Sequence, residues 1–592
     1  MTEPSLLSST STGTGRTGPD RPRAFPSGLA VALYAGIPLV TVTAAAAGGG
    51  LSAVGVAGYL PRASTDLLYS FLRMLAAYAL SLGFSLAYGY YAATHRGGER
   101  VMIPVLDILQ SVPILGFFPI VIVVFVNLTG PGSFLGPNLA SVFLIFTSMA
   151  WNMVFGVYES VRSIPNDLRE AAETFRSRGW LRFRRVLFPA TVNRLVYNSV
   201  LSWTGGWFFL VEAEIFTTNS SSHTALPGIG SLLSFSAANG NGSEFVAGVL
   251  LLVAVIVLLD FGVWRPLGRW ADRFRYDQSP SGEGEVVGVR NASGRLRRAA
   301  SYVTRGVRTG VTRISTPFVQ LATIRLRPAR RPGQERGVVL YYVSLGAILV
   351  LSWLILIALV VAAYQVLSGP ISGEVRAQML QVPLALGASI GRVAAAYAIC
   401  LAIALPLAIL LARRARLARL GLPVIEVVAS FPATALFPLI VFGLVRYLSE
   451  QGVALLLLLT GMIWYLFFNL LAGVRSLAPD LEEAARSYGV RGRGFLRRVL
   501  LPSLFPALVT GSITAFGGGW NTLIVAEYLN VNSSHSLSVL GIGQMIDLGY
   551  TESNGLPLMV TALLTLVAGV IAINELLWKP LYRRAVERYR YD

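Results

Sequence analysis

"EAAETFRSRGWLRFRRVLFPA" fills residues 170–190, and "EAARSYGVRGRGFLRRVLLPS" fills residues 483–503. Two near copies of a charged block, 313 positions apart, interrupt a chain made mostly of Leu, Val, Ala, Ile and Phe. Over the thirty residues from Val161 and from Val474 the copies agree at 15 positions, among them Arg162/Arg475, Asp167/Asp480, Glu170/Glu483 and Arg184-Arg185/Arg497-Arg498. Membrane burial alone favours none of these charged matches. The likeness extends both ways. "RMLAAYALSL" (from Arg73) pairs with "RVAAAYAICL" (from Arg392), and "PVLDILQSVPILGFFP" (from Pro104) with "PVIEVVASFPATALFP" (from Pro423). Downstream, Trp207 matches Trp520, Glu214 matches Glu527, and a Gly-Ile-Gly at Gly228 matches another at Gly541. The halves close alike, on "RFRYD" at Asp277 and "RYRYD" at Asp592. Self-similarity at fixed offset is the mark of a repeated structural unit. The chain is a tandem duplication.

Of its 592 residues 54% are hydrophobic and 13% charged, against roughly a quarter charged in soluble domains. Uninterrupted apolar runs of about 20 residues match the length of a membrane-crossing helix. The expected fold class is an all-α polytopic membrane protein. Coarse spans are 29–48, 67–94, 103–127, 138–160, 192–217 and 244–264, then 338–366, 385–412, 422–447, 452–473, 505–530 and 556–578. Six helices per half is an even number, so the two halves enter the membrane in the same direction as parallel repeats. The division that follows is a disordered tail over 1–26, a first transmembrane domain over 27–277, a basic linker over 278–335 and a second transmembrane domain over 336–592.

The net charge of +19 is nearly all Arg, with Lys579 the one lysine. Arg falls in alternate loops: the tail, "THRGGER", "RRARLARL", the two charged blocks and the linker. The loops between them carry almost none. That alternation is the positive-inside pattern; it places both termini and both charged blocks in the cytoplasm of a multi-pass plasma-membrane protein, and nucleic acid is not an expected partner. In the linker, Leu296, Ala299, Val303, Val307, Val311 and Ile314 recur at helical spacing between arginines, which suits either a helix lying on anionic membrane lipid or a solvated connector.

Each block opens as a short helix. Asp near its start complements the helix dipole, and Ala and Leu propagate the turn. Paired alanines leave a low surface that another protein can approach closely, Glu170 and Glu483 add a directed charge, and Gly489 permits a sharp turn. The spacing Glu-Ala-Ala, three residues, Gly, nine residues, an aliphatic residue, one more, then Leu-Pro resembles the EAA loop of ABC importer permeases. The second copy fits throughout, with Glu483, Ala484, Ala485, Gly489, Val499, Leu501 and Pro502. The first keeps Glu170, Ala171, Ala172, Val186 and Pro189 but has Arg176 at the Gly position and Phe188 at the Leu. A Pro-x5-Pro helix (Pro113/Pro119 and Pro432/Pro438), an Ala-Glu near the end of the fifth helix (Ala213-Glu214 and Ala526-Glu527) and the Gly-x-Gly after it look most like the nitrate/sulfonate/taurine-type branch. The resemblance implies the transmembrane fold of a type I importer and an ATPase-coupling role for Glu170, Ala171, Ala172, Glu483, Ala484, Ala485 and Gly489. It also implies two cytoplasmic ABC ATPase subunits and an extracytoplasmic solute-binding protein as partners, and a small anion such as nitrate or a sulfonate as substrate.

The chain itself reads as no enzyme. It has no G-x4-G-K-[ST], so ATP and Mg would belong to the partner subunits, and no H-E-x-x-H, paired Cys or G-x-S-x-G. No metal site is expected: Cys400 stands alone in an apolar run, and His223 and His535 lie among Ser and Asn. Ionisable residues at membrane depth are functional candidates. Arg73 with Glu214 and Arg392 with Glu527 have equal depth and opposite charge, which suggests a pair in each half that braces or gates the outer mouth, or separate snorkelling to the interface. Candidate path-lining residues are Gln110, Ser111, Ser430, Trp207, Trp520 and Asn521, the tryptophans serving equally well as packing. Twelve helices in two parallel halves also describe a secondary transporter, which offers no reason for the duplicated loops.

Overall fold

The structure, a computed structural model, describes residues 53–274 and 371–589 apart from 131, 176–178, 220–225, 445–446, 529, 533–534, 537–538 and 553; between the two stretches only 364, 368 and 369 are described. The expected first span of each half (29–48, and 338–366 apart from Tyr364), the tail and the linker therefore lie outside the described residues. What remains is helical, save a hairpin of Asn530–Asn532 with His535–Ser536.

The first half runs α1 (Ala53–Thr94), α2 (Arg96–Ser111), α3 (Ile114–Thr129), α4 (Leu135–Arg162), α5 (Asn166–Thr174), α6 (Phe188–Asn219), α7 (Ile229–Ala238) and α8 (Gly242–Leu259). The second repeats the order as α9 (Val382–Arg413), α10 (Ala415–Ser430), α11 (Phe437–Leu444), α12 (Glu450–Arg475), α13 (Pro479–Ser487), α14 (Leu501–Tyr528), α15 (Ile542–Thr551) and α16 (Leu556–Ile573), preceded by a short helix Gly373–Met379. Seven helices are long and apolar enough to cross a membrane among the described residues. Helix α6, 32 residues long, is the more polar counterpart of the crossing helix that ends at Tyr528.

One expected span in each half is instead broken. The run expected over 103–127 becomes α2 and α3, meeting at Val112-Pro113, and that over 422–447 becomes α10, a 3-10 turn Ala433–Leu436 and α11. The cause is proline: Pro113 and Pro432 hold extended backbone at the break, because the ring removes the N–H that would continue the helix and pushes the preceding residue out of the α region. Helix α1 begins fourteen residues before the expected 67, and the helical runs opening at Gly242 and Leu556 continue to Phe274 and Glu587, past the expected 264 and 578; most other boundaries lie close to expectation. Sharp starts have local causes, as where Ser449 Oγ accepts the Gly452 N–H at 3.2 Å to open α12.

Each half packs around its fourth helix: α4 lies against α1, α3 and α6, and α12 lies against α9 and α14. Between halves the contacts are reciprocal. Helix α3 of the first half lies on α14, α15 and α16 of the second, while the 3-10 turn Ala433–Leu436 lies on α6 and α11 lies on α7. The broken proline helix of each half thus crosses to the other, and the two halves share one apolar core.

Candidate functional site

The short helices α5 and α13 join α4 to α6 and α12 to α14, at one end of the bundle. Both present the same face. Ala172 and Ala485 are buried against their own half, whereas Glu170, Ala171, Glu483 and Ala484 are exposed. Ala485 sits in an apolar patch with Val474, Phe495, Leu500 and Leu504, so the helix is seated on the bundle by its third motif residue. Neither Glu170 nor Glu483 has a basic partner among the described residues, which leaves a directed charge facing outward. Beyond them stand Phe175, 83% exposed, and Tyr488, 87% exposed. Sequence reasoning missed these two aromatics, although they match at the same 313-residue offset. Gly489 ends α13 with φ at 70°, while the Val490 N–H donates to Ala485 O at 2.8 Å, a left-handed turn that suits Gly. Its counterpart Arg176 lies outside the described residues.

At the other end the structure brings Arg73 and Glu214 together, and Arg392 and Glu527. Arg73 Nη1 lies 2.6 Å from Glu214 Oε1, with side chains 4% and 0% exposed. Glu214 also accepts from Ser70 Oγ at 2.7 Å and from the Gly230 N–H at 2.8 Å. Arg73 spends its other donors on Asn138 Oδ1 (2.7 Å) and Pro227 O (2.8 Å), and Ser70 Oγ accepts the Ile229 N–H (2.9 Å). The second half repeats every element: Arg392 pairs with Glu527, Ser389 and the Gly543 N–H donate to that carboxylate, and Arg392 reaches Gln451 and Leu540 O. Removing two charges from water is tolerable only when their bonding capacity is filled, as here. Each network ties α1, α4, α6 and α7, or α9, α12, α14 and α15, within one half. Close approach requires the glycine: a Cβ at Gly228 or Gly541 would fall on the Glu214 or Glu527 carboxylate. Ser70 and Ser389 were legible too, three residues before each Arg.

The path candidates divide. Asn521 lies at the junction of the halves, where its Oδ1 accepts the Leu115 N–H at 3.3 Å. Its counterpart position holds Phe208, whose carbonyl accepts from Thr434 Oγ1 at 3.3 Å, the reciprocal contact. Trp207 and Trp520 are buried one residue earlier on their helices, Trp207 edge-on to Trp203 at 6.5 Å within its own half. Gln110 is exposed on α2 and donates to Asp107 Oδ1 at 3.1 Å. Ser111 and Ser430 end α2 and α10, but their side chains lie outside the described ones. No group of three or more metal-ligating side chains occurs among the described residues.

Residues 79–263 and 404–577 each match the family described as "Binding-protein-dependent transport system inner membrane component". The chain is 30% identical over 157 residues to the putative aliphatic sulfonates transport permease of Escherichia coli (strain K12), covering 26% of this chain and 57% of that protein. It is 26% identical over 166 residues to the bicarbonate transport system permease of Synechococcus elongatus, covering 28% and 56%. To the E. coli glycine betaine/proline betaine transport system permease it is 26% identical over 166 residues, covering 28% and 46%. The chain therefore spans about half the length of these relatives.

Proposed function

Because the chain belongs to the binding-protein-dependent transport system inner membrane component family, and carries that domain twice, we propose that it is the whole transmembrane core of an ATP-driven importer, its two permease halves fused. Two cytoplasmic ATPase subunits dock on α5 and α13, hydrolyse ATP, and rock the halves so that the path between them opens to one side at a time. An extracytoplasmic binding protein delivers solute at the end held by the Arg–Glu networks, and both termini lie in the cytoplasm. The observation that carries this reading is the matched pair of short helices at one end of the bundle, each presenting an exposed Glu and followed directly by an exposed aromatic. An exposed apolar ring backed by a rigid helix is what a partner's pocket engages.

The Arg73–Glu214 and Arg392–Glu527 networks act as braces in this scheme. The bonds described above each stay within one half, so they hold the helices α7 and α15 rigid while the halves move as bodies. The acidic group of the expected small solute draws support from relatives named for sulfonates, bicarbonate, nitrate and glycine betaine, the last of them a zwitterion. The test is uptake by the chain reconstituted in liposomes with the ATPases and binding protein of its own host. Uptake should require ATP and be lost in the double variant Glu170→Arg, Glu483→Arg. Uptake driven by an ion gradient without ATP would overturn the reading.

A further inference from the structure

Helix α6 carries two stripes. One, with Trp203, Trp207 and Glu214, faces its own half, as the contacts with Arg73 and Ser70 show. The other, at Phe208, Glu212 and Phe216, has a spacing of four and faces the second half. Phe208 meets Phe437 at 6.4 Å, and Phe216 meets Tyr528 at 5.6 Å and Tyr550 at 5.3 Å. Glu212 lies between these two contacts on the junction of the halves. It is 1% exposed, and neither carboxylate oxygen has a hydrogen-bond partner among the described residues. From across the junction, Tyr528 of α14 and Tyr550 of α15 both meet Phe216, one turn from Glu212, and Asp547 lies three residues before Tyr550 on α15. No ion pair or hydrogen bond to the Glu212 carboxylate occurs among the described residues.

This arrangement breaks the duplication. At the matched offset Glu212 faces Val525, and Asp547 faces Ser234. Structural roles are doubled throughout the chain, as with Arg73/Arg392 and Glu214/Glu527, so a brace would be expected twice. A buried, unpartnered carboxylate in a membrane is costly and marks a pathway for charge. Beside it stand Phe208, Phe216 and Tyr528, rings whose faces attract cations. Resting on the permease reading above, we propose that Glu212, with this aromatic surround, is the point in the path that recognises the positively charged group of the solute, an alkylammonium. A bare anion meets a buried acid there, with no ion-pair partner to it among the described residues. A zwitterion, with an ammonium group beside its acid, satisfies both this site and the family likeness.

Labelling by the apolar reagent dicyclohexylcarbodiimide, read at Glu212 by mass spectrometry in the full complex cycling ATP, tests the proposal with defined probes. Choline and glycine betaine should protect Glu212, whereas nitrate and ethanesulfonate at equal ionic strength should not. Protection by the anions alone, protection by no probe, or a Glu212 that never labels would each overturn it. In the same complex Glu212→Gln should lower ATP-driven glycine betaine or choline uptake about ten- to a hundredfold, with Glu212→Asp intermediate and ATPase subunits still bound. Unchanged uptake in Glu212→Gln would also overturn it. Loss of ATPase binding or of ATP dependence in the wild-type chain would instead count against the permease reading itself.

Discussion

Changing Glu214 to Gln removes one charge and one acceptor from a buried network while keeping the shape of the side chain. The amide offers one acceptor where the carboxylate offered two: its oxygen can take the place of Oε1, which accepts from Ser70 at 2.7 Å, while its NH2 then faces the Gly230 N–H that Oε2 accepted at 2.8 Å. Arg73 is left 4% exposed with no counter-ion among the described residues. Breaking a buried pair by deleting one partner costs about 3–5 kcal/mol. At roughly 2–4 °C per kcal/mol for a domain of this size, the melting temperature of the detergent-purified chain should fall by about 6–20 °C. The double variant Arg73→Met, Glu214→Gln carries no unpaired charge; it leaves Asn138 Oδ1 and Pro227 O without their donor and the Gly230 N–H without its acceptor. It should recover at least half of that loss. The assay is size-exclusion chromatography with fluorescence detection after heating. A single variant within about 2 °C of wild type, or a double variant no better than the single, would refute the reasoning, since the pair would then be no brace.

Three further outcomes follow from the same geometry. Gly541→Ala places a Cβ on the Glu527 carboxylate and should reduce folded yield as severely as Glu527→Gln; Gly517→Ala, with open space around it, should be neutral. Replacing Gly489, whose φ is 70°, by Ala should cost about 1–2 kcal/mol, read as a modest fall in melting temperature that Gly489→Asn partly avoids. Phe175→Ala with Tyr488→Ala should weaken ATPase binding by a factor of about 30 or more while leaving the melting temperature of the isolated chain unchanged.

Much of this architecture was legible because duplication supplies an internal control. Residues needed for the same task in each half recur at one offset, which is why Arg73, Glu214, Glu170 and their partners could be named, and why helix ends near Arg162 and Arg475 fall within a few residues of expectation. The breaks at Val112-Pro113 and Phe431-Pro432 were not read, because a hydropathy run registers composition while proline acts on backbone geometry. Glu212 escaped notice for the opposite reason. Searching for matches hides the positions where halves differ, and Glu212 against Val525 is such a position. Which stripe of α6 faces the other half follows from packing between distant segments, and no local pattern encodes it.

The central claim is that one chain supplies two ATPase-docking helices. Native mass spectrometry of the tagged full-length chain, purified gently from the membranes of its own host, measures this directly. The account predicts one copy of the chain with two ABC ATPase subunits, and release of both in the Glu170→Arg, Glu483→Arg variant. A chain that leaves intact membranes alone, or a complex unchanged by that double substitution, would contradict it.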